Sequence, residues 1–258
     1  MNILIVLAHP NPLSFNRRMG ALAAKTLESA GHSVVTLDLY NERFFCELGV
    51  HDFEHEVDRN NFDYKMHQKI AAERNSFAPA IRESQRLLTE SNVVIFQFPL
   101  WWFSMPAILK NWIDKTFAFD FAYNGRKNRW FSNGPFREKR AMLSVTTSGP
   151  QGTYTDQGIN GDIERVLWPI HNGILNFTGF RVLRPFIFWS SDKLNEDAKT
   201  LYELAFVKRL QRLEESTPLP FHPLECFGAD YRLISTGTVY ADAGSFSSEA
   251  VTEGIGEG

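Results

Sequence analysis

The sequence predicts an α/β fold: a doubly wound, five-stranded parallel sheet with helices on both faces. Three observations carry this. Short apolar runs rich in β-branched residues recur along the chain, as in strands buried on both faces. Between them, apolar residues return every three or four positions, the period of a helix packed on one side. At 258 residues, with 43% hydrophobic and 22% charged residues, the chain is long enough to bury one large core without staples.

The first strand is Ile3-Leu4-Ile5-Val6-Leu7. Residues 14–30 follow as a helix, with Met19, Leu22, Ala23, Leu27 and Ala30 on one face and Gly31 closing it. Residues 33–39 form the second strand and complete a βαβ unit. Residues 41–62 are irregular and rich in acids and histidines. His51, His55 and His67 lack zinc spacing and read as polar surface. Helices are expected over 65–74 and 79–90, then a third strand over 92–98. A helix over 106–117 has Pro106 in its first turn. Residues 124–140 are polar, basic and glycine-containing, a surface excursion. A fourth strand at 141–147 leads into a glycine-rich loop, a helix over 161–176, a fifth strand over 180–189 and a terminal helix over 194–215. After Pro218 the pattern fades, and the Ser, Gly and acidic residues from Gly244 on predict a mobile tail. The expected organisation is one domain over residues 1–220 and a C-terminal extension over 221–258.

Composition removes several classes. Net charge is −3, from 27 basic and 30 acidic residues, which gives no basis for nucleic acid or an anionic membrane as partner. Cys46 and Cys226 stand outside any Cys-x-x-Cys pair, as reduced thiols of a cytoplasmic protein do. The first ten residues carry no basic lead and too short an apolar run for a signal peptide. Residues 91–109 hold no charge over a length that would span a bilayer, but Asn92, Gln97, Ser104 and two prolines divide them into strand, loop and helix start.

In parallel sheets ligands bind beyond the carboxyl ends of the strands. Three loops should therefore converge. The first, residues 9–16, enters a helix that Ser14 or Asn16 can cap, and free N–H groups there suit a phosphate. No Gly-x-Gly-x-x-Gly and no Gly-x-x-x-x-Gly-Lys-Ser/Thr accompanies it. The second, Pro99-Leu100-Trp101-Trp102-Phe103, puts flat apolar surface in a proline-bracketed turn. A planar aromatic cofactor or a dimer interface would explain it, and the two are compatible. The third, Thr146-Thr147-Ser148-Gly149 on to Tyr154, offers small residues that let backbone approach a ring edge. An anchored phosphate, an aromatic wall and a polar backbone edge together describe a flavin site.

The chain resembles the flavodoxin-like NAD(P)H:quinone oxidoreductases, the DT-diaphorase family. The matching motifs run in order over about residues 1–220: Leu4-Ile5-Val6-Leu7-Ala8-His9, Ser14-Phe15-Asn16, Phe96-Gln97-Phe98-Pro99-Leu100, Trp102-Phe103, Pro106-Ala107-Ile108-Leu109-Lys110, Phe121-Ala122-Tyr123, Ser144-Val145-Thr146-Thr147, Gln157-Gly158-Ile159 and Leu167-Trp168-Pro169-Ile170. The resemblance implies a flavodoxin-like fold and a homodimer with FAD, in preference to FMN, bound near the interface. His9, Ser14, Phe15 and Asn16 would hold its phosphates. Pro99, Leu100, Trp101, Trp102 and Phe103, with Thr146, Thr147, Ser148 and Gly149, would contact its ring, and Tyr154 would lie beside it. NADH or NADPH would give a hydride and leave, and a quinone would then take both electrons in ping-pong order. Tyr123 and Phe177 match positions that shape the substrate pocket.

The chain also departs from that family. Trp101 stands where the best-known members have Gln, and Asn160 stands where they have a catalytic His. Asn donates a hydrogen bond but carries no proton at neutral pH, so Tyr154 and Asn160 are the expected catalytic pair with a changed division of work. Gly125 lies near the place of a second pocket tyrosine. Asn176 and Phe221 replace the metal ligands of some relatives, so no metal is expected. The basic run 126–129 reads as solvated surface or as a place for a nicotinamide phosphate. Two other readings share this fold: a flavin-binding regulatory subunit of a membrane ion-efflux system, and an FMN-dependent azo or nitro reductase. A serine hydrolase is excluded by the lack of Gly-x-Ser-x-Gly.

Overall fold

The computed structural model describes residues 1–41, 44 and 47–234. Cys46 and the tail from Gly244 lie outside them. The chain opens with β1 (Asn2–Leu7), α1 (Phe15–Ser29) and β2 (Ser33–Asp38). Next come α2 (Tyr64–Arg74), α3 (Pro79–Glu90), β3 (Val93–Pro99) and α4 (Ala107–Thr116). β4 (Arg140–Thr146), α5 (Ile163–Ile170), β5 (Arg181–Val182), β6 (Phe186–Phe188) and α6 (Glu196–Gln211) complete it. The sheet runs β2-β1-β3-β4-β5, with β6 also on β4, and every pairing is parallel.

Local chemistry explains the boundaries. The Ser14 side chain caps α1 by accepting from the Arg17 N–H, and Gly31 at φ 85° turns the chain out of it. Asp63 and Asn195 cap α2 and α6 in the same way. Pro106, expected in the first turn of α4, is its cap residue. β3 is buried along its whole length, which is why its sequence shows no alternation. α1 and α6 cover one face of the sheet, around Ile3, Ile5, Val93, Ile95, Met142 and Phe206. α3, α4 and α5 cover the other, around Leu4, Val6, Phe96, Phe98, Leu143 and Trp112.

Four expectations are corrected. The fifth strand is split, because Pro185 offers no N–H to the ladder. Leu183 there pairs with Pro218, and the Leu219 N–H donates to the Val182 carbonyl, so returning chain covers the sheet edge. The helix over 161–176 becomes α5 followed by a π-helical turn at His171–Asn176, since Pro169 interrupts the helical bonding. The excursion at 124–140 is no plain surface loop: Asn124 and Phe136 are buried, Lys127 pairs with Asp120, and Arg129 donates to the Asp120 and Phe121 carbonyls. His67 is buried, 2.9 Å from His55 through ring nitrogens, within a cluster of Phe53, Phe62 and Phe77.

A buried ion pair, Lys115 with Asp52 at 2.8 Å, fastens that segment to α4, and the Tyr64 hydroxyl also donates to Asp52. Among the described residues no helix is long and apolar enough to cross a membrane. Residues 91–109 are β3, a turn and the start of α4.

Candidate active site

β1, β3 and β4 lie side by side with Leu7 opposite Gln97 and Pro99 opposite Thr146, so their carboxyl ends meet at one edge. The three loops that leave them touch in every pairing. His9 of the first meets Trp101 of the second at 5.8 Å between ring centroids. Phe103 of the second meets Tyr154 of the third at 6.5 Å. Asn16 Nδ2 donates to Thr146 Oγ1 at 3.1 Å and joins the first to the third.

The second loop is strained and outward-facing. Trp101 and Ser104 exchange both backbone hydrogen bonds at 3.0 Å, and Trp102 and Phe103 between them have φ of 50° and 57°. Two consecutive positive φ values make a type I′ turn, which ordinarily takes Asn-Gly. Bulky residues in that backbone cost about 1–2 kcal/mol each. The turn also leaves Trp102 95% exposed, Phe103 49% and Trp101 41%. Strain and exposed aromatic surface at the carboxyl edge of the sheet mark a candidate functional position. Pro99 is buried in the sheet, and Leu100 donates its N–H to the Thr146 carbonyl.

In the first loop, Ser14 and the helix entry leave the Phe15 and Asn16 N–H groups as free donors. The Phe15 ring packs edge-on against Phe188, so only its backbone serves the loop. His9 Nδ1 accepts from the Asn11 N–H, which leaves Nε2 to carry the proton of the neutral ring. Burial above all, with the Arg17 charge beside it, holds His9 below the usual histidine range. Arg17 donates to the His9 carbonyl at 3.1 Å and pairs with Asp38 at the end of β2. It clamps the loop, and sequence reasoning missed it because the pairing joins α1 to the end of β2, 21 residues apart.

In the third loop, Thr147 donates its N–H to the Phe188 carbonyl and its hydroxyl to the Gly149 carbonyl. The Ser148 and Gly149 N–H groups have no acceptor. A Cβ on Gly149 would stand 2.9 Å from the Tyr154 ring, so only glycine lets this backbone and that ring lie together. Burial raises the Tyr154 pKa and keeps its hydroxyl a donor. Trp189, just beyond β6, lies 5.5 Å from Tyr154. It was missed although it ends a strand at the same edge. Asn160 donates through Nδ2 to Thr153 Oγ1 at 3.1 Å and through its N–H to the Thr153 carbonyl. Its side chain is committed to holding the turn that carries Tyr154.

Tyr123 and Phe177 lie 5.5 Å apart, with Trp130 and Phe131 around them. Among the described residues no ring contact joins this cluster to the three loops. Among the described residues no group of three or more His, Cys, Asp or Glu is arranged to hold a metal.

The residues present fit a flavin on three observations. They are the exposed aromatic turn, the amides at 148–149 without acceptors among the described residues, and the close approach of the Gly149 backbone to the Tyr154 ring. The strand order 2-1-3-4-5 with these loops at the β1/β3 crevice defines a doubly wound α/β protein whose candidate site lies at the switch point.

Known proteins narrow that class. A family model for the flavodoxin-like fold matches residues 1–210. NAD(P)H dehydrogenase (quinone) 1 of Rattus norvegicus is 38% identical over 230 residues, covering 89% of this chain and 83% of that protein. Ribosyldihydronicotinamide dehydrogenase (quinone) of Homo sapiens is 36% identical over 219 residues, covering 84% and 94%. The crystal structure of a candidate quinone reductase from Klebsiella pneumoniae is similar at a TM-score of 0.87 and 35% identity, covering 91% and 94%. The chain belongs to the flavodoxin-like NAD(P)H dehydrogenase (quinone) family.

Proposed function

We propose that this protein is an FAD-dependent NAD(P)H:quinone oxidoreductase, working as a cytoplasmic homodimer. The observation that carries the reading is the strained, exposed Trp102-Phe103 turn between the His9 and Tyr154 loops. A flavin held there would supply the hydride-accepting and two-electron-donating chemistry between a nicotinamide and a quinone. The protein's residues bind and orient. The free amides of Phe15 and Asn16 and the dipole of α1 favour phosphates. Neutral His9 offers an Nε2 donor there without adding charge. Trp102 and Phe103 present faces for a planar ring, and the amides of Ser148 and Gly149 donate to its polar edge.

Proton handling is divided unusually. Tyr154 is a protonated donor beside Gly149. Asn160 holds Thr153 and with it the Tyr154 turn, and an amide stores no proton. Charge on the reduced site is therefore met by fixed hydrogen-bond donors. The homodimer reading is supported by the lack of a ring contact, among the described residues, between the Tyr123–Phe177 cluster and the loops: a second copy would supply the wall opposite Trp102. The exposed Ile159, at 92%, and Trp168, at 52%, supply apolar surface for that contact.

A visible spectrum tests this. The purified protein should be yellow and bleach on anaerobic addition of NADPH or NADH, and re-oxidise with a quinone. Chromatography of the released cofactor should give FAD. A colourless protein that also fails to bind added FAD would overturn the proposal. Slow bleaching with both donors would favour the regulatory reading.

A further inference from the structure

Under the three loops, on the face covered by α1 and α6, lies a strip of polar side chains that the chemistry above does not use. Gln97 of β3 and Ser144 of β4 are register partners, and both are fully buried. They continue rows that are apolar elsewhere, Val93 and Ile95 on β3 and Met142 on β4. Two residues further along β4, Thr146 accepts the hydrogen bond from Asn16. Both ends of the Gln97 amide, the Ser144 hydroxyl and Asn16 Oδ1 are buried without a partner among the described residues. Gly20, one helical turn along α1 from Asn16, makes room: a Cβ there would come within 3.3 Å of Leu7 and 3.5 Å of Gln97.

Such a strip opposes folding, since a buried amide without partners loses water and gains nothing. An apolar side chain of similar size at Gln97 would serve the core better. Yet the strip is chemically complementary. The Gln97 NH2 is a donor, Asn16 Oδ1 is an acceptor, and the Ser144 hydroxyl is both. Asn16 and Thr146, which bond to each other, stand at the proposed ligand loops.

We propose that Gln97 and Ser144 are positioning residues for the flavin. With the flavin bound they pair with Asn16 and Thr146, and so fix the first and third loops in the spacing that the flavin takes. They gain their partners in the liganded arrangement, so binding relieves a burial penalty carried by the free protein. The inference rests on the flavin reading above, and it adds a trade of fold stability for cofactor affinity.

The test uses the full chain, stripped of cofactor and titrated with FAD, in the wild type, Gln97→Met and Ser144→Ala. Gln97→Met conserves volume. FAD affinity should fall roughly fivefold to tenfold in each variant, the size that one neutral hydrogen bond supports. The melting temperature of the flavin-free protein should hold or rise, by about 2–4 °C for Gln97→Met. Weaker binding with a lower melting temperature would show a merely structural role and overturn the proposal. Unchanged affinity with a normal fold would overturn it too. If Gln97→Met does not fold, Ser144→Ala carries the same two readings. Absence of FAD binding in the wild type would instead bring down the flavin reading, and this inference with it.

Discussion

The rings of Phe117, Phe136 and Phe180 and those of Trp101, Trp102 and Phe103 are the same kind of surface in opposite settings. The first three are buried, with centroids 4.7 to 6.3 Å apart. The second three stand on a turn and face outward. Backbone makes the difference. Phe117, Phe136 and Phe180 leave helix and loop in positions that point into the core. Trp102 and Phe103 are held at positive φ by paired hydrogen bonds between Trp101 and Ser104, and that turn has no inward face for them. One cluster stabilises the fold through burial, and the other is kept at a cost for what it meets.

The comparison is broken most directly on its buried side. Phe136→Ala should destabilise the protein by about 3–5 kcal/mol, read from the denaturant midpoint. A loss under about 1 kcal/mol would mean that this ring is not core. The buried side also contains His171, 3% exposed, whose pKa burial lowers to about 4. Below its ordinary value of about 6.5, the unfolded chain takes up this proton before the folded one does. Stability from this group is complete above about pH 6.5 and declines as pH falls toward 4, by about 3 kcal/mol at most. His171→Gln should flatten that part of a stability–pH profile. Equal slopes in variant and wild type would remove the assignment.

On the exposed side the expected effects move from stability to binding. Trp102→Ala should leave stability within about 0.5 kcal/mol, since the side chain touches little, while FAD binding weakens about tenfold or more. Full flavin occupancy in that variant would end the account of the turn. The smallest effects belong to Asn160. Asn160→Ala should loosen the Tyr154 turn by about 0.5–1.5 kcal/mol through loss of the Thr153 bond. Asn160→His should preserve or raise reduction by NAD(P)H and add a titration near pH 6.5. Collapse of reduction in that variant would give Asn160 a role beyond holding Thr153.

The sequence by itself determined the α/β alternation, the first strand at Ile3 to Leu7, a helix cap at Ser14 or Asn16 and the place of the aromatic turn. Each of these is local: buried strands show continuous apolar runs, caps show serine before a helical period, and prolines bracket turns. The three loops were also legible as a group, because a parallel sheet sends its carboxyl ends to one edge. What the tertiary structure decided depends on partners far away in sequence. Arg17 of α1 finds Asp38 at the end of β2, Trp189 reaches Tyr154 from beyond a split strand, and Phe136 turns a basic stretch inward. Gln97 and Ser144 read as ordinary strand residues until strand register sets them side by side without partners. Periodicity reports which way a side chain faces, while the folded chain alone reports what it meets there.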